Sequence, residues 1–228
     1  MKQQTRMQII VILLLIFSVC VYVKNANTLD ISKVSTLNGN KYKFELNNTT
    51  RYDIEIYYPK SKNKILGEHI RYKLEMMAND FKKKADSLPE LEEENKYSLK
   101  IEYNEYGNDD FISYVFMVAE DLKPDKKNYF FTINYNKKTN TFSNINDLML
   151  KNSEILNIFS ITSREKLANN TDLTDFNLFI SGTFPIKQNF SNFVYTNDGI
   201  LLFFNEYQVS HNTDVKFKVL IPYAKLIN

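Results

Sequence analysis

Of 228 residues only one is cysteine, five are glycine and two are histidine, and each shortage removes a class of protein. Cys20 lies inside the apolar N-terminal run, so the rest of the chain can form no disulfide of its own. A domain outside the cytoplasm would then stand on core packing alone. The scarcity of glycine excludes collagen-like, linker-like and glycine-rich nucleotide-binding chains. No P-loop or dinucleotide fingerprint occurs, and no G-x-S-x-G elbow that would expose a nucleophilic serine. Cysteine catalysis is excluded outside the N-terminal run. A metal hydrolase needs ligands that converge, whereas His69 and His211 are far apart in the chain. His211 has Glu206 and Asp214 near it, but such spacing is nonspecific, and a solvated loop histidine is the plainer reading. Asp109 and Asp110 are adjacent in sequence, which by itself gives no separation of the two pKa values that glycosidic chemistry requires. The expectation is a protein with no catalytic residues, no metal and no cofactor.

What the chain has is a good supply of core material: 43% hydrophobic residues, with 15 tyrosines and 17 phenylalanines. At this length one mid-sized domain or two small ones can pack without staples. The formal charge of +2 is spread thinly, and the run Lys82, Lys83, Lys84 is answered by Glu92, Glu93, Glu94. Such blocks read as solvated faces, and without an arginine-rich stripe or binding motif nucleic acid is not an expected partner.

The N-terminus decides location. Lys2 and Arg6 precede an uncharged run over 7–23, which at 1.5 Å per residue reaches about 26 Å, near the lower limit for a bilayer core. Val23, Lys24 and Asn25 stand where a signal peptidase would favour small residues, and Val19 before Cys20 disfavours a lipoprotein signal. A retained signal-anchor over 7–24 is expected, with a short cytoplasmic tail at 1–6, a linker at 25–38 and an extracytoplasmic domain at 39–228. The positive-inside bias leaves the N-terminus in the cytoplasm.

Within that domain Tyr42, Phe44 and Leu46 alternate with polar residues, as do Tyr52, Ile54, Ile56 and Tyr58 before Pro59, which predicts two strands. Leu66, Ile70, Leu74, Met77 and Phe81 fall on one helical face, so a helix is expected over 65–85. Strands return around Leu99, Ile101 and Tyr103, over 111–118, and around Tyr129, Phe131, Ile133 and Tyr135. The run over 111–118 is apolar on both faces, which places it mid-sheet with a cover on each side. A second helix is expected to bury Ile155, Phe159 and Leu167, with Asn152 or Ser153 as N-cap. The turn Asn197, Asp198, Gly199 should join strands over 190–196 and 200–207, because glycine accepts positive φ. A last strand is expected over 215–221, stopped by Pro222. Strands interrupted by two helices argue an α+β fold, a mostly antiparallel sheet with two packed helices behind the transmembrane segment.

The stretch FVYTNDGILLFFNEYQV, 193–209, followed by VLIPYAKL, 219–226, resembles the closing signature of the exterior domain of RsiV-type anti-sigma proteins. That domain also stands beside the catalytic domain in PdaC- and PgdA-type peptidoglycan deacetylases. Ile56, Tyr57, Tyr58 and Pro59 before a long helix resemble the family's opening strand, and TINYNKKTNTFSNINDLML, 132–150, its central strand, turn and Leu-Asp-Leu-Phe step. The resemblance runs from Tyr42 to Leu226. Two turns depart from the pattern: residues 122–128 replace a Gly-Gly-Ala-His type turn, and 210–214 replace a loop with Pro-Tyr and glycine. Six residues before the apolar run are too few to hold a sigma factor, and the Thr-Phe-Asp-Asp-Gly-Pro run of a deacetylase does not occur.

The resemblance implies a noncatalytic binding or positioning module at the cell membrane, with lysozyme, peptidoglycan or a separately encoded deacetylase as candidate partners. The alternative it implies is the membrane-proximal accessory part of a peptidoglycan deacetylase whose catalytic domain is missing or separately encoded. Tyr207, Gln208 and His211, on a loop after the penultimate strand, are the expected contact surface, because loops carry recognition while strands carry packing. A loop that only connects two strands is the plainer alternative.

Overall fold

Period-two alternation of tyrosine and isoleucine builds a seven-stranded sheet in the computed structural model, which describes residues 35–37, 41–48, 51–91, 95–212 and 216–226. Its strands are β1 (Ser35–Leu37), β2 (Lys41–Asn48), β3 (Tyr52–Pro59), β4 (Tyr97–Gly107), β5 (Phe111–Asp121), β6 (Lys126–Asn136) and β7 (Thr141–Ser143), lying side by side in chain order. Neighbours are antiparallel except β3 and β4, which are parallel. The exception follows from the 24-residue helix α1 (Lys64–Ser87) between them, since a crossover of that length returns the chain in the same direction.

Helix α1 starts where Asn63 accepts the amide of Leu66 at 3.0 Å. At its other end the Arg51 guanidinium donates to the carbonyls of Ala85 (3.0 Å), Asp86 (3.1 Å) and Leu88, at and just past the last turn, where the helical ladder runs out of amides. Leu66, Ile70, Leu74, Ala78, Phe81 and Ala85 are buried and pack into one core with Ile54, Ile56, Leu99, Ile101 and Phe116. Met77 is only partly buried, because the stripe steps from Leu74 to Ala78 rather than to Met77.

The opposite face of the sheet is covered by the C-terminal third. Helices α2 (Ile145–Lys151), α3 (Ile155–Leu167) and α4 (Phe176–Gly182) pack with a second, antiparallel sheet ordered β10-β9-β8, where β8 is Phe193–Tyr195, β9 Gly199–Phe203 and β10 Lys218–Pro222. Val115 and Phe130 meet Val194 and Phe203 across the seam, and Phe111 stacks on Tyr195 with ring centroids 3.7 Å apart.

Strand β6 has a partly open edge. Strand β7 pairs only with Asn134, Tyr135 and Asn136. Further along, the outward amides of Asn128 and Phe130 are taken by side chains: Glu206 Oε2 at 2.7 Å and Asn205 Oδ1 at 2.8 Å.

The α+β class holds, with two corrections. There are two sheets rather than one, and four α-helices among the described residues rather than two. The additional helices, α2 and α4, have seven residues each, two turns in which a 3.6-residue period cannot establish itself. The N-cap of α3 is Glu154, one residue beyond the expected pair; Asn152 instead accepts the Glu154 amide at 2.9 Å. The signal-anchor at 7–24, the linker through residue 34 and Val215 lie outside the described residues. Among the described residues no helix is long and apolar enough to cross a membrane.

Gly199 does stand at the hairpin, but for another reason than positive φ. A Cβ there would come within 2.0 Å of the Ile221 carbonyl oxygen on β10, so close strand approach demands glycine. Gly199→Ala is expected to destabilise the protein by about 1–3 kcal/mol, the usual cost of overpacking, read as a lowered urea midpoint at unchanged slope.

Candidate surface on the loop after strand β9

The loop over 204–212 runs along helix α4 from its C-terminal to its N-terminal end. Gln208 fastens the first end: its Nε2 donates to the carbonyls of Gly182 (3.0 Å) and Asn189 (2.9 Å), and its Oε1 accepts the Asn205 amide at 3.0 Å. Gly182 permits this approach, since a Cβ there would stand 1.8 Å from the Gln208 carbonyl oxygen. Ser210, buried, donates to the Asp172 carbonyl at 2.5 Å. At the far end His211 Nε2 lies 3.3 Å from Asp175 Oδ2, and Asp175 is the N-cap of α4, accepting the Leu178 amide at 2.9 Å.

The three residues singled out in the sequence therefore divide. Tyr207 and His211 come together, ring centroids 6.3 Å apart, with Tyr207 54% exposed. Gln208 turns inward and serves as a brace. Tyr207 has φ of 60°, the left-handed region that costs a side-chain-bearing residue about 1–2 kcal/mol. The hydrogen bonds of Gln208 and Ser210 hold the backbone that follows it.

Three further apolar side chains on and just after α4 are exposed, and the sequence pattern gave no sign of them: Phe176, which follows Asp175, and Phe184 and Ile186 just past the end of the helix. In a seven-residue helix whose next phenylalanine, Phe179, is buried, the pattern gives no sign of which ring faces water.

Other possible sites are plain in chemistry. Glu206 is engaged with Asn128, not with His211, and Asp214 lies outside the described residues. No group of three His, Cys, Asp or Glu that could hold a metal occurs among the described residues. His69, on α1, lies against Phe142 with ring centroids 4.1 Å apart at the rim of a trough of about 730 Å³ between α1 and strands β6 and β7. Burial, then the charge of Lys73, holds its pKa below the ordinary value.

No family model matches the chain. In three dimensions it shares its fold with a DUF3298 family protein from Pseudomonas aeruginosa PAO1, at a TM-score of 0.60 over 82% of this chain and 91% of that one, with 13% identity. The architecture is thus that of the DUF3298, RsiV-like domain and not of a catalytic deacetylase domain. In sequence the chain is 25% identical over 172 residues to the peptidoglycan-N-acetylmuramic acid deacetylase PdaC of Bacillus subtilis (strain 168), which covers 72% of this chain. It spans 36% of that relative's length.

Two outcomes separate the brace from the surface. Gln208→Ala strands two carbonyls and an amide and should cost about 1–3 kcal/mol in urea unfolding, whereas Tyr207→Gly should raise stability by about 1 kcal/mol as the left-handed strain disappears. Asp175 is held below its ordinary 3.8 first by the Leu178 amide, with His211 adding to the effect. A depressed folded pKa contributes stability that is complete above the unfolded value and lost as pH falls through the folded one. Thermal melts should therefore show the native protein losing its advantage over Asp175→Asn as pH drops below about 4.

Proposed function

We propose that this chain is a membrane-anchored, noncatalytic module of the cell envelope that binds or positions a macromolecule through the surface around Phe176, Tyr207 and His211. The observation that carries the reading is the DUF3298-type fold over 82% of the chain, joined to the exposed Tyr207 ring beside His211 on a loop that Gln208 braces from beneath. The uncharged run over 7–23 supports an anchor with the domain outside the membrane. The RsiV-type resemblance supports lysozyme as one ligand. The similarity to PdaC supports peptidoglycan, or a separate deacetylase, as another.

A second reading, that the chain is the membrane-proximal accessory part of a peptidoglycan deacetylase whose catalytic domain is missing or separately encoded, is favoured by the 172-residue match to the deacetylase PdaC. An adjacent reading frame carrying paired metal-binding carboxylates and histidines would decide for it.

The test is calorimetric titration of the protein with lysozyme and, in parallel, with soluble glycan strands. Saturable binding to either is expected, weakened about tenfold or more by combined Tyr207→Ala and His211→Ala substitution, as for an aromatic hot spot. Undiminished affinity in that variant would remove the loop from the contact surface. Absence of heat with both ligands would remove the binding reading.

A further inference from the structure

The far face of the large sheet is only partly covered by the C-terminal third. Beyond the seam at Val115 and Phe130, the chain leaves a cleft of about 300 Å³, floored by Met117 and Ala119 of β5 and overhung by Glu206 and Lys216. This is the size and the position, between two packed units, where small-ligand sites concentrate. Lys100 and Glu102 of β4 line its other wall, with Lys100 Nζ 3.0 Å from Glu102 Oε1. Glu206 is fixed in place by the Asn128 amide at 2.7 Å. Lys216 Nζ faces the Met117 sulfur at 3.8 Å, and a thioether is a weak acceptor for an ammonium group.

Two lysines and two glutamates cancel, so the cleft has no net preference for an anion or a cation. What it offers is a set of donors and acceptors spaced around an apolar floor. An uncharged ring bearing hydroxyls and amides, each able to donate and accept, with an apolar C–H face, answers both features.

We propose that the cleft between the large sheet and the segments that carry Glu206 and Lys216 is a saccharide subsite for a neutral N-acetylated sugar, with Lys100, Glu102 and Lys216 bonding the hydroxyl and amide groups over Met117. The proposal rests on the reading of the chain as a wall-facing module and gives it a second contact, separate from the aromatic surface at Tyr207. Lys216 exchanges its sulfur contact for a ligand oxygen, so ligand entry is felt directly at the Met117 methyl group.

The experiment uses the full chain, ¹³C-methyl-labelled at methionine and solubilised in a polyoxyethylene detergent that carries no sugar, with the tetramer of N-acetylglucosamine as probe. Met117→Leu assigns the methyl signal. The expected result is a saturable shift of the Met117 methyl, with affinity reduced at least tenfold by Lys216→Met and by Glu102→Gln. Both side chains are exposed and the folded spectrum serves as control. Calorimetric binding of the tetramer with the Met117 signal unmoved and both variants unchanged would overturn the subsite while leaving wall binding intact. No binding of the tetramer would also overturn the subsite, and if lysozyme then binds, the module is a protein receptor instead.

Discussion

Everything in this fold answers to strand β5 being apolar on both sides. Tyr114, Phe116 and Val118 point toward α1, while Val115 and the buried Ser113 point the other way. A strand of that kind cannot lie on a surface, so a single sheet with one covering helix would leave half of it wet. The C-terminal third supplies the second cover, and its contacts are specific as well as apolar: Ser113 accepts the Tyr195 amide at 3.2 Å, and Asn134 donates to the Phe193 carbonyl at 2.9 Å. The polar pairs fix which residues of β8 lie over which residues of β5 and β6, something apolar contact alone leaves loose.

The parts of this architecture legible in the sequence were those with a long enough period. Three strands of eleven residues and a helix of 24 announce themselves. The need for two covers was legible in residues 111–118, and so were strands near the C-terminus, but not that these would form a sheet of their own, because local alternation marks a strand without saying which strands it pairs with. Among the candidate contact residues, burial in loops was the missing information. Tyr207, Gln208 and His211 are consecutive or nearly so and look alike as polar loop residues. Only the carbonyls of Gly182 and Asn189, 26 and 19 residues away, turn Gln208 into a brace. Such long-range partners leave no trace in local pattern.

That bracing bears on the proposed recognition role of the loop. A loop held at both ends, by Gln208 on one side and by the pairing of His211 with the cap of α4 on the other, presents its aromatic rings without first losing much freedom. Ordering an interface on binding costs free energy, so a surface already ordered can hold a partner with fewer contacts. The strain at Tyr207 fits this picture, since such backbone persists only where its surroundings determine it.

The side chains of Asn205 and Glu206 on the outer edge of β6 have a different consequence. They fill amide positions that a neighbouring strand would otherwise occupy, in a chain whose exposed sheet edge would invite another copy to add on. Two short polar side chains thus act as a molecular stop, ending the ladder where β7 leaves it. A protein crowded beside its own kind in two dimensions, as an anchored one would be, gains from such a stop: the sheet remains the property of one molecule and does not become the seed of a fibre.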